Sequence, residues 1–277
     1  MSEPQPSEPL DARVSGPELG ARVADWYAEQ ARRRATTVLD LAEDVWLLRT
    51  PEWPRSFSGN GILVRRDPGA DALLAWTEEH LGGPGPGHRH VAAMCDLSDE
   101  TRAGLAAAGF ELRPELLMAR PADVEPAAAA SDVVVALTTD ESGALAGRLW
   151  REVWMPGIDE ETLRQLVGRA EVYPRSGELV HLGVRDATTG EAVACLDVAV
   201  MGRAAEIDAV ATLPAHRGRG YADALLTAGL ALIGSRGCDL AVLTALQDDW
   251  PREWYARRGF GTVATMWEAL ITPGAAR

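Results

Sequence analysis

Apolar positions along the chain follow two regimes, helical spacing in some windows and the two-residue period of a strand in others. Leu19, Val23, Trp26 and Tyr27 recur at three- and four-residue steps and predict a helix over residues 17–30. Residues 44–49 and 61–65 read as two strands joined across a loop rich in Pro, Ser and Gly. A helix over 70–80, a Gly/Pro loop and a strand over 90–94 follow, then a helix from 99 that stops at Gly109. Beyond residue 131 the pattern sharpens into a strand over 133–137 and helices over 141–154 and 159–170. Three successive antiparallel strands come next, over 179–184, 193–201 and 205–212. The chain then reads helix 221–233, strand 240–243, short helix 252–258 and last strand 263–271.

Two stretches lack any period. Residues 1–16, rich in Pro, Ser and Glu, bury too little to order themselves and are expected to form a disordered tail. Residues 121–131 (PADVEPAAAAS) read as a linker. With 277 residues, about two domains are expected. The division is 17–120 and 132–277, each mixing helices with strands, an α+β class.

The halves repeat one another. Ala70-Asp71-Ala72-Leu73-Leu74 returns as Ala222-Asp223-Ala224-Leu225-Leu226, and Gly109-Phe110 returns as Gly259-Phe260. Matching order and near-equal spacing favour duplication, and a repeat this long means tandem domains rather than a solenoid.

Composition narrows the chemistry. All 27 basic residues are Arg, so lysine Schiff bases and P-loop lysines are excluded. The Arg, Ala and Gly bias hints at a GC-rich bacterial genome. A formal net charge of −14 argues against nucleic acid and slightly favours cationic ligands. Cys95, Cys195 and Cys238 form no CxxC pair; Cys195 and Cys238 sit among apolar neighbours and read as packing residues. The N-terminus lacks a signal-peptide pattern and no apolar run approaches membrane length, so a cytoplasmic protein without membrane contact is expected.

The most informative segment is Thr212-Leu213-Pro214-Ala215-His216-Arg217-Gly218-Arg219-Gly220-Tyr221-Ala222, between a strand and a helix. Glycines permit a sharp turn and close approach, and the unpaired N–H groups opening the helix make an anion site. Arg217 and Arg219 add charge-assisted donors, so a diphosphate cradle is expected. His216 beside it reads as a solvated loop histidine.

Arg217-x-x-Gly220-x-Ala222 resembles the acyl-CoA pyrophosphate loop of the GCN5-related N-acetyltransferase (GNAT) family. Tyr255-x-x-x-Gly259-Phe260 resembles that family's tyrosine before its penultimate strand. The order of elements around both is also the family's. The resemblance implies an acyl-CoA N-acyltransferase fold, in two tandem GNAT-like halves, using acetyl-CoA as co-substrate and no metal. It implies that amides of Val210, Ala211 and Thr212 hold the pantetheine arm and polarise the acetyl carbonyl. Amides of Arg217, Gly218, Arg219, Gly220, Tyr221 and Ala222 would bind the diphosphate. Tyr255 would protonate the departing thiolate while a primary amine, of a small molecule or peptide, attacks directly.

The general base is less marked. Alternation places Glu206 and Asp208 on one face of a strand with Val210 and Thr212. In similar proteins a glutamate upstream of the loop acts through water, which puts Glu206 first and Asp208 second, with solvated strand carboxylates equally open. The N-terminal copy has Arg66-Asp67-Pro68-Gly69-Ala70 at the loop and Leu105 at the tyrosine position, so it reads as a degenerate, non-catalytic half. An unrelated α+β domain is the alternative there. For the whole chain, a non-catalytic acyl-CoA sensor and an interaction scaffold stay open beside the enzyme.

Trp150 and Trp154, four apart on a helix, favour core packing over an acceptor pocket. His88 and His90 lack further metal ligands at suitable spacing. Dimers are common among similar proteins, so a homodimer is left open.

Overall fold

Pro17 at the first turn and three arginines at the last frame the opening helix, α1 (Pro17–Arg34), which turns Val23, Ala24, Tyr27, Ala28 and Gln30 inward. The computed structural model describes residues 16–82, 87–122 and 132–272. Residues 1–15 of the expected tail and 123–131 of the expected linker lie outside the described residues.

After α1 come β1 (Thr37–Ala42), β2 (Val45–Arg49), β3 (Gly61–Val64), α2 (Ala70–Leu81), β4 (Arg89–Ala93), α3 (Asp99–Ala107) and β5 (Glu111–Pro121). The second half has β6 (Val134–Ala136), α4 (Thr139–Leu149), α5 (Glu160–Gly168), β7 (Glu178–Arg185), β8 (Ala192–Met201) and β9 (Ala204–Thr212). It closes with α6 (Tyr221–Ser235), β10 (Leu240–Leu246), α7 (Pro251–Ala256) and β11 (Gly261–Ile271). Side chains stop the backbone donors of several helix starts from being orphaned: Ser98 caps α3, Asp159 caps α5, and Thr138 with Glu141 form a capping box on α4.

Among the described residues, eleven strands join one sheet in the order β1-β2-β3-β4-β11-β5-β10-β9-β8-β7-β6. Only β3 with β4 and β9 with β10 run parallel. The halves exchange their last strands: β5 pairs with β10 of the second half, and β11 pairs with β4 of the first. The exchanged strands, both 11 residues long, pair antiparallel with each other at the centre. Elements related by the repeat thus lie about a pseudo-twofold axis between β5 and β11.

Strands β1 and β5 are not marked by alternation. In β5, Pro114 and the charged Glu111, Arg113 and Glu115 obscure the pattern, yet the strand occupies the middle of the sheet. Its alternate residues serve two cores, Leu116 and Met118 on one face, Leu117 and Ala119 on the other. Helices α2 and α3 cover the first half of one face, and α6 and α7 the second. Helix α1 packs on the opposite face over strands of both halves, including Leu63, Leu117 and Val242. The helix expected over 141–154 ends at Leu149; residues 150–154 widen into a π turn.

Candidate active site

Two departures from regular strand geometry open the second half. Strands β9 and β10 pair only through Ala204, Ala205 and Glu206. Beyond Glu206 the β9 edge that faces β10 has no strand partner. At Ala209 the backbone turns left-handed, with φ +52°, and the register against β8 shifts.

That bulge corrects the expected face. Ala205, Ile207 and Val210 pack toward α6, whereas Ala211 packs toward α4. Val210 and Thr212 therefore do not share the face of Glu206 and Asp208, because one extra residue reverses the alternation. Glu206 and Asp208 stay together, on the α1 face.

Past Thr212 the chain makes a short 3-10 turn and enters α6 through Gly218 and Gly220, at φ +75° and +76°. Only glycine holds both left-handed positions cheaply, and a side-chain carbon built at either meets nothing within 4 Å. The Arg217 Nε donates to Thr212 O at 3.1 Å, tying the loop to the strand end. Arg219 is exposed, Tyr221 half-buried and Ala222 in the first turn of α6, beside amides without intrahelical acceptors. His216 Nδ1 lies 3.6 Å from Asp186. Open glycines, helix amides and two arginines at an unpaired strand edge fit a diphosphate-bearing arm.

Tyr255, on α7, is 8% exposed and packs edge-on to Trp254 and Phe260, at 4.9 and 5.8 Å between ring centres. Burial, and then the charge of Asp208, raise its phenol above the ordinary tyrosine value. It therefore stays protonated at neutral pH.

Glu206 is 8% exposed. Gln30 Nε2 donates to its Oε2 at 2.9 Å, and Arg34 lies 3.6 Å away, stacked 4.2 Å over Tyr173. Burial, then repulsion from Asp208, push its carboxyl up to about 7, with Arg34, Gln30 and Tyr27 opposing. A carboxyl balanced near neutrality on a cavity wall is suited to proton transfer. Gln30, Arg34 and Tyr27 were not marked by the sequence as site residues. Only the tertiary packing of α1 brings them some 175 residues along the chain to Glu206.

The cavity encloses about 1030 Å³ between α1, α5, the loop around Phe57 and the sheet. Glu115 and Glu268 from the exchanged strands line it too, and His90 is hydrogen-bonded to Glu268. Burial and then Glu268 push Glu115 up to about 7. The Glu268 charge and hydrogen bond raise His90 against the opposing effect of burial. His88 instead bonds to Asn60 O at 2.9 Å, so the two histidines have separate partners. Trp150 lines the cavity, with Trp154 edge-on at 5.1 Å and partly exposed; the pair is a cavity wall and rim rather than interior core. Cys195 and Cys238 are buried, and Cys195 Sγ lies 3.2 Å from Ala209 O.

The first half keeps the scaffold and replaces these features. Gly109 and Gly259 have φ +91° and +87°, and Phe110 and Phe260 donate to the carbonyls of Leu105 and Tyr255 at 3.1 and 3.2 Å. Leu105 is fully buried in the core. Before α2, the Asp67 carboxylate itself accepts from the amides of Gly69 and Ser98 at 2.9 and 2.8 Å and from Thr101. Although burial opposes it, these donors hold Asp67 below its usual range, and the chain's own anion satisfies the donors.

Residues 164–262 match the acetyltransferase (GNAT) domain family. No curated protein matches the chain. Among solved structures, a functionally unknown conserved protein from Staphylococcus epidermidis ATCC 12228 superposes with a TM-score of 0.67 at 14% identity, over 86% of this chain and 94% of that one. A GCN5-related N-acetyltransferase from Kribbella flavida gives 0.57 at 20% identity, covering 92% and 96%. A tandem GNAT protein from the clavulanic acid biosynthesis pathway gives 0.54 at 15%, also covering 92% and 96%. At these identities the structures speak for the fold. Together the comparisons show a match to the GNAT domain over residues 164–262, within a chain that has the tandem GNAT fold.

Proposed function

We propose that the protein transfers the acetyl group of acetyl-CoA to a primary amine by direct attack. The observation that carries this reading is the gap where β9 leaves β10, with the two-glycine loop at its end. The charge of Asp208 acts on both Tyr255 and Glu206, which supports a shared role for the two groups.

The glycine loop and α6 amides would hold the diphosphate, and the β9 edge through Val210, Ala211 and Thr212 the pantetheine arm. Donors at that edge would polarise the acetyl carbonyl. Glu206, directly or through a water, takes a proton from the amine as the C–N bond forms. Tyr255 gives its proton to sulfur as the C–S bond breaks. Most of the acceleration comes from holding amine and thioester together. The open face of the cavity, away from the loop, receives the acceptor.

The test is thermal unfolding with and without excess acetyl-CoA, for the wild type and Gly220→Glu, followed by thiol release with a panel of amines. Ligand at about 100 times its Kd adds about 2.7 kcal/mol of stability. A shift lost in a folded Gly220→Glu variant places the co-substrate on this loop. No shift in the folded wild type sinks the acyl-CoA reading.

A further inference from the structure

Helix α1 belongs to the first half, yet one stripe of it faces the second. Arg22, Trp26, Gln30 and Arg34 recur every four residues and so share a helix face. Arg22 pairs with Asp239, and Trp26 Nε1 donates to Met201 O at 2.9 Å. Gln30 and Arg34 both end on Glu206, and on the same oxygen, Oε2, at 2.9 and 3.6 Å.

Arg34 is itself held in place by the second half. Its Nε donates to Ser176 Oγ at 3.2 Å, its guanidinium lies over Tyr173, and Arg175 donates to its carbonyl at 3.2 Å. Ser176 Oγ donates in turn to Tyr173 O at 2.9 Å. A guanidinium fixed in this way loses little further freedom by engaging a carboxylate. The two side chains are 16% and 11% exposed, so salt screens the pair weakly. Asp208, on the same strand as Glu206, repels it, and the clamp opposes that repulsion. The neighbours of Glu206 in register, Ala199 on β8 and Val242 on β10, carry no charge. Tyr27 on α1 faces the same carboxyl, while Glu115 on β5 and Asp197 on β8, the latter 2.7 Å from His181 on β7, act on Asp208.

We propose that Gln30 and Arg34 are positioning residues for Glu206: they hold Oε2 and leave Oε1 to take the proton of the acceptor amine. The first half thereby completes the base of the second. The catalytic consequence rests on the role proposed above for Glu206; the clamp does not.

The experiment follows the Glu206 carboxyl carbon by NMR in the intact protein labelled with δ-13C-glutamate, across the neutral range, with the signal assigned by its absence from Glu206→Gln. Thiol release from acetyl-CoA with a panel of primary amines is measured in parallel. Arg34→Gln is expected to raise the titration midpoint by about one pH unit or more, and Gln30→Leu by less, because an opposite charge and a donated hydrogen bond both favour the ionised form. Arg34→Lys, which keeps the charge, returns most of the shift. The acid limb of kcat/KM moves with the midpoint, so that in Arg34→Gln kcat/KM falls about tenfold on that limb. The plateau kcat falls as well, while KM for acetyl-CoA holds. In a Glu206→Gln background neither substitution lowers the residual rate further. Ser176→Ala loosens Arg34 but leaves its charge in place, and gives a smaller shift of the same sign should Arg34→Gln be unstable. A midpoint that stays put in both Arg34→Gln and Gln30→Leu, or an acid limb that stays put while only the plateau falls, overturns the proposal. Midpoints that move in a protein that releases no thiol with any amine leave the clamp standing and overturn the transferase.

Discussion

Around Gly109-Phe110 and Gly259-Phe260 the two halves make the same turn with the same hydrogen bonds, yet the side chain one turn earlier is Leu105 in one and Tyr255 in the other. Where β9 presents Glu206 on the α1 face beside its parallel strand, β3 of the first half presents Leu63 on that face beside its own. Where two glycines leave open space before α6, Asp67 fills the turn before α2. The turn geometry is common to both halves, while the groups proposed for chemistry stand in one. The first half is nonetheless not a spectator, because α1 and β5 supply Tyr27, Gln30, Arg34 and Glu115 to the cavity.

The largest expected effect separates the two turns. Tyr255→Phe should lower kcat by about 10²–10⁴-fold, the usual worth of a general acid, with the unfolding midpoint little changed. Next, Leu105→Ala should destabilise the fold by about 2–5 kcal/mol in urea unfolding, since it empties a fully buried site. If Leu105→Ala instead abolished turnover without loss of stability, the division between a chemical half and a structural half would fail.

The cavity acids make a pH test of the shared site. With its carboxyl raised to about 7 from an ordinary 4.5, folded Glu206 holds a proton that the unfolded chain releases between those values. The resulting stability is complete below pH 4.5 and lost as pH rises through 7, by up to roughly 3 kcal/mol. Glu115, also raised to about 7, and the raised His90 and His181 act in the same direction, and the lowered His88 opposes them. The urea midpoint should therefore fall from pH 5 to pH 8, and Glu206→Gln should flatten the fall. Over the same interval kcat/KM should rise, since the base must be ionised. A midpoint that stays flat from pH 5 to pH 8 would mean these carboxyls are solvated.

The smallest effect sharpens the contrast between the loops. Asp67→Ala strands donors that now have a partner and should cost about 1–3 kcal/mol. The stabilisation by acetyl-CoA should be unchanged, read as the shift in melting temperature. A loss of that shift would show the first half to be part of the co-substrate site.

Much of this was legible in the chain. Periodicity located most helices and strands, and the repeat announced the tandem fold. The RGRG turn and Tyr255 were visible because glycine at a left-handed position and a tyrosine before Gly-Phe are local features. Strand β5 was not legible, since Pro114 and three charges interrupt its apolar pattern and neighbours on both sides supply what that pattern lacks. The bulge at Ala209 was equally hidden: alanine carries no signal for a positive φ, and one extra residue moved Val210 to the other face.

The sequence by itself determined most of the elements, their repetition, the glycine turn and its absence from the first half, all of which depend on residues close in the chain. Tertiary structure alone decided that the halves exchange strands, that α1 covers Glu206, and that Glu115 enters the same cavity as Asp208. Those outcomes depend on pairings between residues more than a hundred positions apart. Their strength comes from burial and the low dielectric of the assembled interior, neither of which exists in an extended chain.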